Sequence, residues 1–313
     1  MRKILVTGVA GFIGSNLARE LLARGYTVVG IDNFTAGTRE NIPSGVEFYR
    51  ADIRQNEIYA FFRGVDIVFH LAAKNCLADC LAHPVETSEV NVTGTVQVLE
   101  AARLARVRKF IYADSSTAYE GIAELPSHVD EVSPRGVYAV SKRGGALFCE
   151  TYQKLYGMNI TVLRYFNVYG PAQDYRRVIP PVMSAFIIKL LRDEPPVMYG
   201  TGQKRRDFIY VDDVNEFHLL AMTDPRTDGR VFNVGSGKNY SILEIFGLIE
   251  SILKTGLKPV HQPELAGEAE ATLADISQSV ALGWYPRIDI QEGLRRSIAY
   301  IRDQVLKEDT SGT

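Results

Sequence analysis

The sequence predicts an α/β protein, a doubly wound parallel sheet followed by a smaller mixed α/β region. Three observations predict it. A glycine triplet joins the first apolar run to an amphipathic stretch, strand-like and helical runs alternate through the first half, and the alternation stops near residue 167. Length and composition agree, because 313 residues can bury a large core and 46% apolar with 23% charged residues is ordinary globular usage.

Ile4-Leu5-Val6 reads as a buried strand. Residues 11–24 read as a helix with apolar side chains at Ile13, Leu17, Leu21 and Leu22, closed by Gly25, and 26–32 as a second strand. Strand, glycine turn, helix and strand within about 30 residues make the unit from which parallel sheets are built. Further strands are expected at 46–49, 65–71, 109–113 and 160–164, with helices at 86–105 and 139–156 separating the last three. Right-handed crossovers then give a Rossmann-type sheet. After 167, Pro171, Pro180, Pro181, Pro195 and Pro196 punctuate shorter elements. The reading divides the chain into a dinucleotide-binding domain, 1–166, and a mainly substrate-binding region, 167–313. Segments near 208–216 and 230–235 are expected to return to the main sheet. The polar tail from Lys307 to Thr313 is expected to fray.

A formal net charge of −2 gives no electrostatic case for nucleic acid or anionic membranes. No apolar run reaches the ~18 residues of a membrane-spanning helix. Met1-Arg2-Lys3 leads straight into Ile4-Leu5-Val6 with no signal region, and three cysteines do not suggest a disulfide framework, so a cytoplasmic location is expected. Cys76 and Cys80 stand one helical turn apart with no further ligand beside them, so no metal site is expected.

Two short strings carry chemistry. In Gly8-x-x-Gly11-x-x-Gly14, glycine permits a tight turn and close approach of backbone to a pyrophosphate, and the helix N-terminus offers N–H groups and partial positive charge. Asp32 ends the second strand, where a carboxylate accepts from ribose hydroxyls and repels a 2′-phosphate, which favours NAD over NADP. In Tyr138-x-x-x-Lys142, phenol and ammonium share one helix face, and the ammonium favours phenolate, lowering a pKa of about 10.

With these strings in place, the chain resembles the extended short-chain dehydrogenase/reductase family, and within it nucleotide-sugar epimerases of the UDP-galactose 4-epimerase type. The resemblance runs from about Arg2 to about Tyr300. It rests on Thr7-Gly8-x-x-Gly11-Phe12-Ile13-Gly14, Asp32-Asn33, Asp52-Ile53, His70-Leu71-Ala72-Ala73 and Asn91-Val92-x-Gly94-Thr95. It continues through Ser115-Ser116-x-x-Tyr119, Tyr138-x-x-x-Lys142, Arg164-Tyr165-Phe166-Asn167-Val168-Tyr169-Gly170-Pro171, Arg206-Asp207-Phe208-Ile209-Tyr210-Val211-Asp212-Asp213 and Leu282-Gly283-Trp284.

The resemblance implies roles. Tyr138 is the base and acid toward a sugar 4-hydroxyl, Lys142 binds the nicotinamide ribose and tunes Tyr138, and Ser115 relays the proton. Gly8, Gly11, Phe12, Ile13, Gly14, Asp32, Asn33, Thr35, Gly37, Leu71, Ala72 and Ala73 fall on NAD-binding positions. Asp52 and Ile53 flank adenine, Asn91 lies near the cofactor, and Phe166 lies near nicotinamide. Asn167 and Arg206 are expected to hold the UDP-sugar diphosphate, where a guanidinium fork suits phosphate oxygens. Arg206 has a second reading as a surface pair with Asp207. Ser116, Val178, Tyr199 and Thr272 complete the implied substrate set. Thr272 matches a position beside the sugar 2-substituent, where a small residue leaves room for an N-acetyl group, and its alternative is a plain turn or strand residue. His70 reads as a packed strand residue.

The chain departs from the family pattern at Glu120, where glycine is common, and at Asp114, where a small residue is common. Leu265 lies near a usual arginine, the segment with Arg176 and Arg177 is shorter, and Lys74 to Cys80 is unusual. The expected activity is NAD-dependent inversion at C4 of a UDP-sugar, by an enzyme that dimerises through the helices near 86–105 and 139–156. The glucose/galactose pair, their N-acetyl forms and uronic acids all remain open. Two other readings are weighed. A dehydratase or decarboxylase needs acids before Tyr119, where Ser116, Thr117 and Ala118 stand, and a dinucleotide sensor would tend to lose Tyr138 or Lys142.

Overall fold

In the computed structural model, which describes residues 2–173, 180–264 and 269–311, the first half follows the expected alternation. The elements are β1 (Lys3–Thr7), α1 (Phe12–Ala23), β2 (Thr27–Asp32), β3 (Glu47–Arg50), β4 (Ile67–His70), α2 (Leu77–Ala82), α3 (Pro84–Ser88), α4 (Gly94–Leu104), β5 (Lys109–Ser115), α5 (Val137–Tyr156) and β6 (Ile160–Tyr165). The second half adds β7 (Asn167–Tyr169), α6 (Val182–Leu191), β8 (Val197–Tyr199), β9 (Arg205–Tyr210), α7 (Val211–Thr223), β10 (Val231–Val234), β11 (Asn239–Ser241), α8 (Ile242–Leu253), β12 (Val260–Gln262), α9 (Ser277–Ala281) and α10 (Ile290–Ser311).

Seven parallel strands form the main sheet in the order β10-β6-β5-β4-β1-β2-β3. The order reverses between β1 and β4, and at such a switch point the carboxyl ends of the strands leave a crevice for a ligand. Both faces are covered, which is why the strands are apolar throughout. Ile4 and Val6 pack on one face with Leu17 and Leu21 of α1 and Phe217 of α7. Leu5 packs on the other with Val98 and Leu99 of α4 and Ala146 and Cys149 of α5. A third core joins α6, α8 and α10 through Phe186, Ile187, Ile245, Ile249, Leu294 and Ile298.

Two expectations need correction. The segment at 208–211 is a strand, but it does not return to the main sheet. It belongs to β9, which lies between β7 and β11 in a three-stranded sheet, because β10 occupies the edge of β6. The following helix α7 makes the return instead, with Val214 and Phe217 in the main core. The segment at 230–235 does join as expected, pairing Val231 with Val162 through Val234 with Tyr165. The helix expected over 86–105 is interrupted: α3 and α4 are joined by a wide π-type turn, Glu89–Thr93. Among the described residues, no helix is long and apolar enough to cross a membrane.

Candidate active site

The glycine turn lies at the switch point. Gly8 has φ +72°, and a Cβ there would sit 2.8 Å from Ala72 N. A Cβ on Gly14 would lie 2.1 Å from Gly8 O, so α1 can enter this closely only as glycine. Gly11 caps α1 without a side-chain hydrogen bond, and the first turn holds no acid, which leaves the N-terminal N–H groups for an anion. The loop after β2 folds onto the turn, with Thr38 N and Asn41 Nδ2 donating to Ala10 O at 3.2 and 3.1 Å. Gly37 touches Ala10 so closely that a Cβ would lie 2.5 Å from its carbonyl carbon.

Asp32 anchors this loop as well as facing it. Its Oδ2 accepts from Ala10 N at 3.0 Å and its Oδ1 from Phe34 N at 2.8 Å, while burial raises its pKa. A carboxylate has about four lone-pair sites, so two backbone donors leave capacity for ribose hydroxyls. Asn33 Oδ1 accepts from Thr35 N and Oγ1 at 3.0 and 2.7 Å, and Asn33 Nδ2 donates to Asp52 Oδ2 at 3.1 Å. Arg54 binds Asp52 at 2.7 and 3.0 Å and holds its carboxyl below the ordinary range. Ile53 packs against Gly94 so closely that a Cβ there would meet it at 2.7 Å. The residues present therefore fit a dinucleotide. Phe12 and Ile13 open α1, Phe12 packing toward the third core and Ile13 toward the main core.

A polar relay ties the ends of β1 and β4 to α4. Thr95 Oγ1 donates to Asn91 O at 2.7 Å, so it accepts from His70 Nε2 at 3.0 Å. His70 Nδ1 then accepts from Thr7 Oγ1 at 2.8 Å, and Thr7 accepts from Leu71 N and Ala72 N, each at 3.2 Å. His70 is buried, and burial, aided by the charge of Lys142, lowers its pKa to about 3. It is a neutral strut in the strand, as expected. Thr7 and Thr95 are the partners that sequence reasoning missed.

The catalytic candidates come from two elements, α5 and β5. Tyr138, half-buried, lies in the first turn of α5, and Lys142 lies one turn further in, 4% exposed. Lys142 Nζ stands 4.4 Å from the centroid of the Tyr112 ring, and burial lowers its pKa to about 8 against the opposing charge of Asp114. Ser115 ends β5, where its Oγ accepts from Thr117 N and Oγ1 at 3.2 and 3.0 Å, and Ser116 opens the turn that follows. The wide turn places Asn91 between two segments. Asn91 Oδ1 accepts from Lys74 N at 2.8 Å, and its Nδ2 donates to Lys74 O and Ser141 Oγ, both at 2.9 Å. Ser141 Oγ in turn donates to Tyr138 O at 2.8 Å. Lys74 closes this loop with ion pairs to Asp79 and Glu86 at 2.6 and 2.7 Å. Glu120, one of the departures, caps α5: its Oε2 accepts from Gly136 N and Arg135 N at 2.7 and 3.2 Å.

On the other side, Phe166 is buried with its ring 6.0 Å from that of Tyr119. Asn167 Nδ2 donates to Asp207 O at 3.0 Å and approaches Thr272 Oγ1 at 3.5 Å. Asp207 is fully buried, accepting from Ser236 N and Oγ, Gly237 N and Ala274 N at 2.7 to 3.1 Å. It is a knot tying β9 to the segments at 236–237 and 274 rather than a surface partner of Arg206, and strand alternation sends the two side chains to opposite faces. Arg206 Nη1 donates to Arg205 O and Ala269 O at 3.0 and 2.8 Å, which orients its fork. Thr272 has a backbone duty, its Oγ1 accepting from Asp207 N at 3.1 Å. Tyr199 is exposed in β8, which pairs with β12 in a two-stranded ribbon and not with the sheet of Asn167 and Arg206. Val178, Arg176, Arg177 and Leu265 lie outside the described residues. Among the described residues, no group of three or more His, Cys, Asp or Glu is placed to hold a metal ion.

Comparison with known proteins agrees over nearly the whole chain. A UDP-glucose 4-epimerase of Mycolicibacterium smegmatis is 33% identical over 312 residues, covering 96% of this chain and 99% of that protein. The crystal structure of UDP-glucose 4-epimerase with UDP-glucose from Thermotoga maritima superposes with a TM-score of 0.94 at 34% identity, covering 97% of this chain and 99% of the other. The structure of UDP-glucuronic acid 4-epimerase from Bacillus cereus with UDP-glucuronic acid and NAD gives a TM-score of 0.90 at 33% identity, covering 96% and 99%. The model of the NAD dependent epimerase/dehydratase family matches residues 4–235, and this chain belongs to that family.

Proposed function

We propose that the protein is an NAD-dependent UDP-sugar 4-epimerase, an isomerase that inverts C4 through a transient 4-keto sugar. One observation carries this reading: on α5 a buried lysine lies one turn from a half-buried tyrosine, and α5 packs against β5, the strand that ends in Ser115. Bound NAD supplies the acceptor, and later the donor, of the C4 hydride. Tyr138 takes the proton of the 4-hydroxyl, with Ser115 in reach of the same oxygen, and returns it after the sugar has turned over. Lys142 holds the nicotinamide ribose and favours the phenolate of Tyr138. Asp32 accepts from the adenine ribose, and Asn167 and Arg206 hold the diphosphate.

Among the described residues around Tyr119, the lyase reading lacks a suitable acid. Near Tyr119, Asp114 is buried against Arg164 and Glu120 is committed to the N-terminus of α5. A small side chain at Thr272 supports acceptance of UDP-N-acetylglucosamine beside UDP-glucose. A homodimer through α4 and α5 is supported by exposed Leu104, Val140, Leu147 and Phe148 on those helices, and sedimentation equilibrium reads it. A cytoplasmic setting is supported by three cysteines that form no disulfide. The test is incubation with UDP-glucose and UDP-N-acetylglucosamine without added cofactor, followed by product analysis. The 4-epimers are expected; a dehydrated sugar, or no conversion of any UDP-sugar, overturns the reading.

A further inference from the structure

A charged pair is sealed beneath the catalytic candidates and has no part in the steps above. Asp114, the residue before Ser115, is 3% exposed, and Arg164 is 2% exposed. The two are register neighbours on β5 and β6, and Arg164 Nε donates to Asp114 Oδ2 at 2.9 Å. Arg164 Nη1 donates to Tyr119 Oη at 2.9 Å and Val129 O at 2.7 Å, and Tyr119 Oη donates to Asn233 Oδ1 at 2.6 Å. The guanidinium is thus well satisfied. Asp114 is not: its Oδ1 is buried with no hydrogen-bond partner among the described residues. A buried ion pair is a weak source of stability, and an orphaned carboxylate oxygen makes it weaker. With Oδ2 taken by Arg164 and Oδ1 by none of the described residues, the carboxylate has charge to offer a second group.

The placement of Asp114 supplies one. Strand alternation puts it on the same face of β5 as Tyr112, two residues earlier. Tyr112 is the platform for Lys142: its ring lies 4.4 Å from Nζ, and its hydroxyl donates to Lys142 O at 3.1 Å. We propose that Asp114 is a positioning residue for proton transfer, whose carboxylate, clamped by Arg164, keeps the buried Lys142 ammonium charged and so keeps Tyr138 ready to lose its proton. The proposal rests on the roles of Tyr138 and Lys142 given above. The surrounding groups agree. Burial lowers Lys142 to about 8, and Asp114 is the foremost influence opposing it. Tyr112 and Cys149 are pushed upward by burial and stay neutral, and His70 on β4 is neutral. Arg164 on β6 and Tyr138 on α5 complete the ring of titratable and charged groups.

Asp114→Asn keeps the shape and an acceptor for Arg164 while removing the charge. The test follows the titration of Lys142 in the purified protein labelled with 13C-lysine, its signal assigned by Lys142→Arg, alongside the pH profile of kcat/KM. The Lys142 midpoint is expected to fall by about one pH unit or more. The high-pH limb of the profile should fall with it, while KM for the UDP-sugar changes little. If Arg164, left without its partner, prevents folding, the double variant Asp114→Asn with Arg164→Gln carries no isolated charge and is expected to lower the midpoint by less, because a cation leaves with the anion. An unchanged midpoint in whichever variant folds overturns the proposal. A displaced midpoint in a chain that epimerises no UDP-sugar supports the electrostatic link and overturns only the proposed activity.

Discussion

At the proposed cofactor end of the site the closest contacts run between backbone atoms, whereas at the proposed sugar end side chains drawn from distant segments take part. Gly8, Gly14, Ala72 and Ala10 meet through main-chain atoms, and Asp32 answers them with two backbone hydrogen bonds. Asn167 and Thr272, 105 residues apart, bring an amide and a hydroxyl to the backbone of Asp207, whose carboxylate gathers Ser236, Gly237 and Ala274. A backbone cradle admits one shape of ligand and tolerates few residues. A side-chain lattice can change its ligand by changing one residue.

The comparison can be broken most directly between the two ends, at Tyr138. Tyr138→Phe removes only a hydroxyl, so the protein is expected to fold and retain NAD, with epimerisation down by at least roughly 10²-fold. Near-normal product formation would remove Tyr138 from proton transfer.

The next test concerns the strut under the cradle. His70 has a folded-state pKa of about 3, below its ordinary value, so below about pH 6.5 the unfolded chain binds more protons than the folded one. Its contribution to stability is therefore complete above that pH and is lost as pH falls toward 3. Denaturant midpoints between pH 7 and pH 4 should show about 3 kcal/mol of loss attributable to this ring, and His70→Asn should flatten the slope. An identical slope in the variant would mean that His70 is protonated without penalty.

Gly14→Ala probes the cradle itself. A methyl group 2.1 Å from Gly8 O must move backbone, at an expected cost of about 1–3 kcal/mol, with loss of NAD on extraction and analysis. Retention of full stability and full NAD content would show that the turn is softer than its contacts indicate.

The smallest effect belongs to the sugar end. Thr272→Tyr should lower kcat/KM for UDP-N-acetylglucosamine about tenfold more than for UDP-glucose if the side chain sets the room beside C2. Equal losses on both substrates would assign Thr272 to its hydrogen bonds with Asp207 and Asn167 alone, and Thr272→Ser, which keeps the hydroxyl, should then be mild.

The same contrast explains what the sequence made legible. The glycine turn and the Tyr138–Lys142 pair are local patterns, set by turn sterics and by helical spacing. The knot at Asp207 is held by Ser236, Gly237 and Ala274, and nothing near Asp207 in the chain announces them. Arg164 finds Asp114 only because β6 lies beside β5. The apolar run at 208–211 gave a strand, but apolarity does not say which sheet edge is vacant, and β10 had taken the one expected for it. The interruption over Glu89–Thr93 was hidden because one wide turn barely disturbs a helical periodicity.

That wide turn has a consequence for how this family of sequences can vary. A π-type turn holds one residue more than the helix ladder requires, so it behaves as an insertion absorbed without breaking the helix. Each helical residue turns the chain by about 100°. Deleting one residue from 89–93 would restore a regular helix and swing Asn91 away from both Lys74 and Ser141, freeing the loop after β4 from α5. An exposed identity such as Glu89 is cheap to alter, while the number of residues between Pro84 and Thr95 is not. Across relatives, it is the length of this stretch, more than its spelling, that should stay constant.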